Sequence, residues 1–91
     1  MRYLRADFLP YNDWGECTFF FEFADDGQPL RQLEMYENGT ILAYTDTHRQ
    51  DEYGALADSS IHILLGQANV VPMTVSEFEE MWTSMTPTNQ L

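Results

Sequence analysis

Lysine is absent from this chain of 91 residues, and Arg2, Arg5, Arg31 and Arg49 are its only fixed side-chain cations against 15 carboxylates. The formal charge of −11 at pH 7 creates a negative field that repels nucleic acid and anionic membrane and attracts basic protein surfaces. Plain solubility is the competing account of that charge. Cysteine is nearly absent as well. Cys17 alone can form neither an intramolecular disulfide nor a Cys-only metal site, which suits a reducing compartment. Long apolar runs are also missing. The opening Met1-Arg2-Tyr3-Leu4-Arg5-Ala6-Asp7 has no uninterrupted apolar signal core, and no later run approaches the roughly 20 residues of a membrane span. A cytoplasmic protein is expected.

What is present is apolar and aromatic. A 44% hydrophobic content with six Phe, five Tyr and two Trp is too rich for a disordered acidic tail, which lacks the groups needed to offset chain entropy. The length allows one domain, burying roughly 60–65% of the surface its unfolded form exposes. Two strand signals come first. Residues 2–9 alternate with Leu4, Ala6 and Phe8 inward, and the turn formers of residues 10–15 end the pattern. Residues 17–23 place Cys17, Phe19, Phe21 and Phe23 on one parity, and Asp25-Asp26-Gly27 closes them as a three-residue hairpin loop with glycine left-handed.

Asn38-Gly39 between residues 30–36 and 40–45 predicts a second hairpin with a two-residue turn. That turn sets Tyr36 opposite Ile41, Met35 opposite Leu42 and Leu33 opposite Tyr44, so Leu33, Met35, Leu42 and Tyr44 form the core face. The first hairpin then sets Phe19 opposite Leu33 and turns Arg31 inward beside Phe21. A register pairing Glu22 with Arg31 is the alternative, but it moves three Phe outward, a greater loss than one awkward Arg.

Residues 46–73 read as an irregular loop region, with Ile61–Leu65 compatible with either a short strand or one or two capped helical turns. Residues 74–86 read as a helix. Thr74 with Glu77 and Ser76 with Glu79 make two overlapping capping boxes ahead of Phe78, Met81, Trp82 and Met85 at helical spacing. Residues 87–91 form a loose tail. The fold class is α+β: a four- or five-stranded antiparallel meander sheet, residues 1–45 supplying the meander, with the C-terminal helix packed on the Leu4/Phe8/Phe19/Phe21/Leu33/Met35/Leu42/Tyr44 face.

No motif carries catalysis. His48 and His62 lack metal-ligand spacing, and Cys17 sits on an apolar strand with no neighbouring base. Asp25-Asp26-Gly27 lacks the remainder of a calcium loop, and Glu77, Glu79 and Glu80 suit a helix N-terminus better than acid/base work. No nucleophile elbow, P-loop or dinucleotide fingerprint occurs. The expectation is therefore no enzyme, no metal, no cofactor and no small-molecule substrate. Surface chemistry points instead to protein binding. The outer sheet face, with Glu22, Glu34 and Tyr36, offers rigid carboxylate and aromatic contacts, and the loop residues Asp46, Asp51, Glu52 and Tyr53 offer adaptable ones. A solvated sheet face is the plainer reading of the first group.

The opening Met1-Arg2-Tyr3, the turns Asp25-Asp26-Gly27 and Glu37-Asn38-Gly39, Gly54 and Leu56 in the loop, and the closing residues 76–82 resemble a family of small bacterial domains that look like immunity proteins of polymorphic-toxin and contact-dependent growth inhibition systems. The resemblance implies stoichiometric inhibition of a cognate toxin C-terminal domain, with no catalytic residue to carry over. A nuclease toxin fits the charge, because its basic cleft must hold phosphates. A regulatory or scaffolding subunit for a basic protein, and a small ligand-binding or enzymatic domain using the central loop, are the alternatives.

Overall fold

In a computed structural model that describes residues 1–8, 13–57 and 69–90, five antiparallel strands form one open sheet and a single α-helix packs on it. The strands are β1 (Arg2–Phe8), β2 (Cys17–Phe23), β3 (Pro29–Tyr36), β4 (Ile41–Thr45) and β5 (Val70–Pro72), in the order β4-β3-β2-β1-β5. The α+β expectation holds, and β5 is the fifth strand. It lies within the stretch read as irregular and returns to the far side of β1, where Arg5 pairs with Val71. The ambiguous Ile61–Leu65 segment and the turn formers at 10–12 lie outside the described residues.

Both hairpins close in the same way. In the first, Gly27 N–H donates to Ala24 O at 2.8 Å and Ala24 N–H to Gln28 O at 2.9 Å. In the second, Gly39 N–H donates to Tyr36 O and Tyr36 N–H to Thr40 O, each at 2.9 Å. Gly27 and Gly39 have φ of 89° and 94°, and Asp26 and Asn38 accept from the backbone N–H two residues on. These are three-residue loops with glycine left-handed. The second corrects the two-residue expectation. A two-residue I′ turn requires positive φ at Asn38 as well, whereas the longer loop asks it only of glycine.

The one-residue difference moves Leu42 opposite Glu34 and Tyr44 opposite Gln32, so these two side chains lie on the face opposite Leu33. A second irregularity completes the change. Phe23 pairs with Pro29 but Glu22 pairs with Arg31, which makes Leu30 the extra residue of a β-bulge. The bulge removes the conflict in the sequence pattern: Glu22 meets Arg31 on one face while Phe19, Phe21 and Phe23 stay together on the other.

Both faces are covered, which corrects the single core face expected from the pattern. On one side Phe20, Leu33 and Ala43 pack with Phe78 of α1 (Val75–Ser84), flanked by Tyr3, Met35, Met81, Trp82 and Met85. On the other, Leu4, Ala6, Phe21 and Phe23 form one cluster, and Cys17, Tyr36, Leu42, Tyr44 and Leu56 form a second beneath Trp14. Only Leu33 and Met35 of the predicted helix-packing face lie under the helix. Leu4, Phe8, Phe19, Phe21, Leu42 and Tyr44 face the loop side.

The helix starts as its capping box requires. Glu77 N–H donates to Thr74 Oγ1 at 3.1 Å and Thr74 N–H to Glu77 Oε1 at 2.9 Å. Glu79 does not cap Ser76; it turns inward to Arg31. The loose tail is also corrected, because Thr88–Gln90 form a 3-10 turn beside β4 whose Asn89 bonds to Ala43. Phe78 is 1% exposed, whereas Trp82 is only partly buried. Urea unfolding should therefore show a loss of about 3–5 kcal/mol for Phe78→Ala and a smaller one for Trp82→Ala; equal losses would place the two rings in equivalent environments.

Candidate functional site

Between α1 and the β1–β3 part of the sheet lies an open cleft of about 740 Å³. Its floor is apolar: Phe20 and Met35 come from the sheet, Met73 precedes the helix, and Met81 comes from it. Its rim carries the carboxylates of Glu16, Glu37, Glu77 and Glu80 against the single guanidinium of Arg5. Arg5 is itself shared with Asp7 at 3.5 Å. Exposed carboxylates above thioether and aromatic side chains suit a cationic, amphipathic partner, since methionine adapts its shape and the rim steers the charge.

Local folding builds the acidic rim. Glu37 N–H donates to Glu16 O at 2.9 Å and Asn38 N–H to Trp14 O at 3.0 Å, tying the β1–β2 connection to the β3–β4 turn. The approach is so close that a Cβ on Gly15 would lie 2.7 Å from Glu37 Cβ, and Gly15 has φ of 90°. Glu16 and Glu37 thereby meet on one rim although they lie 21 positions apart in sequence. Across the cleft stand Glu77, whose carboxylate Thr74 N–H and hydroxyl hold below the usual range, and Glu80 one helical turn on.

Glu22, expected on a solvated face, lies under the helix at 6% exposure. Arg31 donates to it from Nε at 2.7 Å and from a terminal nitrogen at 2.8 Å, and Tyr3 hydroxyl donates at 2.9 Å. The same guanidinium reaches Glu79 and lies 4.9 Å and 5.0 Å from the ring centres of Phe78 and Trp82. Arg31 holds the Glu22 carboxyl below the usual carboxylate range against the opposing effect of burial. Glu22 therefore joins sheet to helix.

Glu34 and Tyr36 are corrected in the same way, being 4% and 6% exposed on the opposite face. Tyr36 hydroxyl donates to Glu34 at 2.6 Å and Gln32 Nε2 at 2.7 Å. Gln32 in turn bonds Ala55 O and Ala57 N–H, which fastens the central loop over this face. Burial pushes the Glu34 carboxyl up, in part offset by those two donors. The neighbouring Cys17 is 2% exposed, and burial pushes its thiol up to about 12, which suits a small hydrophobe rather than a nucleophile.

The four loop residues divide. Asp46, Glu52 and Tyr53 are exposed, and the Tyr53 ring lies 6.3 Å from that of Trp14, tilted by 48°. Asp51 instead points inward as the hub of the loop. Its Oδ1 accepts from Tyr44 hydroxyl at 2.9 Å and from the N–H groups of Tyr53 and Gly54 at 2.9 and 3.2 Å. Its Oδ2 contacts His48 Nε2 at 2.9 Å and accepts from Asn89 Nδ2 at 2.8 Å. Burial alone would raise the pKa; the bonds from His48, Asn89, the Tyr53 N–H and Tyr44 outweigh it and hold the carboxyl well below the usual range.

The structure thus brings together a set that pattern reading passed over: Glu16, Glu37, Glu80, Met35 and Met73. Glu37 beside Asn38-Gly39 and Glu16 just before β2 were legible as loop carboxylates, but their convergence depends on the Gly15 contact. Among the described residues no group of three His, Cys, Asp or Glu side chains could hold a metal ion, and no helix is long and apolar enough to cross a membrane. No family model, curated protein or solved structure matches the chain.

The Asp51 hub has a pH signature. Its depressed folded pKa contributes stability that is fully present above the unfolded value of about 3.9 and is lost as pH falls through the folded value. Asp51→Asn should lower stability by about 2 kcal/mol at pH 7, the range of hydrogen bonds to a charged group. Its stability should also fall less steeply than the wild type's between neutral pH and pH 2 or so. Parallel urea-derived curves for the two proteins would contradict the role given to this carboxylate.

Proposed function

We propose that this chain is an acidic immunity protein that binds and neutralises a cognate bacterial toxin domain, a nuclease by preference, by laying its carboxylate-rimmed cleft against the toxin's basic substrate-binding surface. The observation that carries the reading is the cleft itself, where Glu16, Glu37, Glu77 and Glu80 surround Phe20, Met35, Met73 and Met81. Apolar anchors beneath a ring of like charge supply both contact area and steering. The net charge of −11 and the resemblance in the two turns and the closing helix support the same reading. Inhibition by occlusion requires no chemistry from the inhibitor. A carboxylate surface that fills a phosphate-binding groove competes with nucleic acid for the same cations.

Asp46, Glu52 and Tyr53 extend the proposed contact surface, whereas Glu22, Glu34 and Asp51 contribute by holding the scaffold. The methionine floor also favours a second reading, a regulatory subunit that takes a basic amphipathic helix, because thioethers accommodate varied apolar side chains. The neighbouring gene separates the two: one that ends in a modular toxin domain supports immunity, and this chain should then protect cells that express that domain.

The triple variant Glu16→Gln/Glu37→Gln/Glu80→Gln leaves every hydrogen bond of the capping box and the internal ion pairs in place. With that toxin domain, stopped-flow association should slow about tenfold or more at low ionic strength, and the wild-type rate should fall steeply with salt. An unchanged rate for a variant with a native melting temperature would remove the cleft from the interface.

A further inference from the structure

A single helix covers only part of its sheet face. The registers set rows across the strands: Tyr3, Glu22 and Arg31 in one, Arg5, Phe20 and Leu33 in the next, Asp7, Thr18 and Met35 in the third. α1 lies over the first row, where the Phe78 ring is 5.2 Å from that of Tyr3 and Glu79 meets Arg31. Phe78 also packs on Phe20 and Leu33 of the second. The helix crosses the strands rather than following them, since it begins just after β5 on one sheet edge and the Thr88–Gln90 turn beyond it bonds to β4 on the other. Such rows lie about 7 Å apart, two residues along a strand, and a helix with its side chains is about 10–12 Å wide. The third row is therefore left open, with Asp7 exposed and Thr18 and Met35 half-buried. Beyond it Glu16 and Glu37 form a far rim, and α1 presents Glu77, Glu80 and Met81 as the near wall.

We propose that this strip seats a second helix, supplied by the partner: a basic amphipathic helix laid across the strands beside α1, its apolar stripe on Met35, Met73 and Met81 and its lysines or arginines along both flanks. This rests on the role proposed for the cleft and adds the form of what enters it. Charge sets the flanks, because Glu16 and Glu37 line one side and Glu77 and Glu80 the other, while Arg5 is already shared with Asp7. A helix with cations on either side of an apolar stripe meets both rims at once. Strand spacing sets the length: the strip runs past β3, β2, β1 and β5, about 14 Å at a spacing of about 4.8 Å, which about ten helical residues span. The incoming helix would bury its stripe as α1 already does, completing a layer of two helices on the sheet. An extended segment fits poorly, since its N–H and C=O groups need a strand edge and the floor here is made of side chains. A second copy of this chain would bring another −11 to the same rims.

The probe is a synthetic peptide of about 14 residues, with leucines on one helical face, lysines on both flanks and alanines outward, beside a twin of equal charge in which a central outward alanine is proline. The readout is the ε-methyl NMR of the five methionines of the full chain, at about 0.15 M salt to limit unspecific attraction. Met35, Met73 and Met81 should shift on titration, whereas Met1 and Met85, which do not line the cleft, should not. The parent peptide should gain helix on binding by circular dichroism, and the proline twin should bind about tenfold more weakly or worse. Glu37→Lys/Glu80→Lys reverses one exposed carboxylate on each rim and should weaken the parent peptide about tenfold or more; if that variant fails to fold, Glu37→Gln/Glu80→Gln takes its place with a smaller loss. Equal binding of the two peptides, equal shifts at Met1 and Met85, an unaffected rim variant or no shift at all overturns the proposal. The two readings fail separately. Cleft shifts without protection from a toxin domain would retain the helix seat and remove immunity, whereas protection that depends on Glu16, Glu37 and Glu80 alongside equal binding of the two peptides would do the reverse.

Discussion

The pairing of Arg31 with Glu22 under α1 is the constraint on which the arrangement of the two layers rests. A guanidinium with two hydrogen bonds to one carboxylate, a third to Glu79 and the rings of Phe78 and Trp82 beside it is held by sheet and helix at once. Either charge left alone in that position would be an uncompensated buried ion. The bulge at Leu30 exists in service of this pair: without it, Arg31 would project among Phe19, Phe21 and Phe23, and Glu22 would lose its partner. The bulge sorts charge to one side of β2 and β3 and the phenylalanines to the other. The helix then finds a surface with Phe20 and Leu33 for packing and Arg31 for docking.

The acidity of the chain divides along the same line. Glu22, Glu34 and Asp51 face inward, each answered by donors, and every buried side-chain polar atom among the described residues has a hydrogen-bond partner. These carboxylates fasten helix, central loop and C-terminal turn to the sheet. Glu16, Glu37, Glu77, Glu80, Asp46 and Glu52 are exposed. They produce the external field, and four of them gather around an apolar floor. A protein acidic only for solubility has no need to concentrate its carboxylates around methionine and phenylalanine, which is why the cleft, rather than net charge alone, supports a protein partner. The edge strand β4 is closed by Asn89 and His48.

Much of the fold was legible because it rests on local chemistry. The β1 and β2 alternation, the left-handed glycine after Asp25-Asp26 and the Thr74–Glu77 capping box depend on residues within a few positions of one another. The second hairpin was visible but its loop length was not, since Asn38-Gly39 satisfies the two-residue turn while Glu37-Asn38-Gly39 satisfies the three-residue one with less backbone strain. That choice, together with the bulge, changed which side chains share a face. The expectation that Glu22, Glu34 and Tyr36 form an outer binding face follows from assuming a single buried face. A sheet covered by a helix on one side and a folded-back loop on the other obeys no simple inside-outside alternation.

By itself the sequence determined the charge, the strand-rich α+β class, the helix and its cap, and the absence of any recognisable catalytic motif, because composition and short-range periodicity are properties of the chain alone. Only the tertiary structure decided the role of each carboxylate. Whether Glu34 meets water or Tyr36, whether Asp51 reaches a partner or Asn89, and whether Glu16 stands beside Glu37 all depend on contacts between segments distant along the chain. A one-residue step in register, which scarcely alters local energies, exchanges the environments of every side chain that follows.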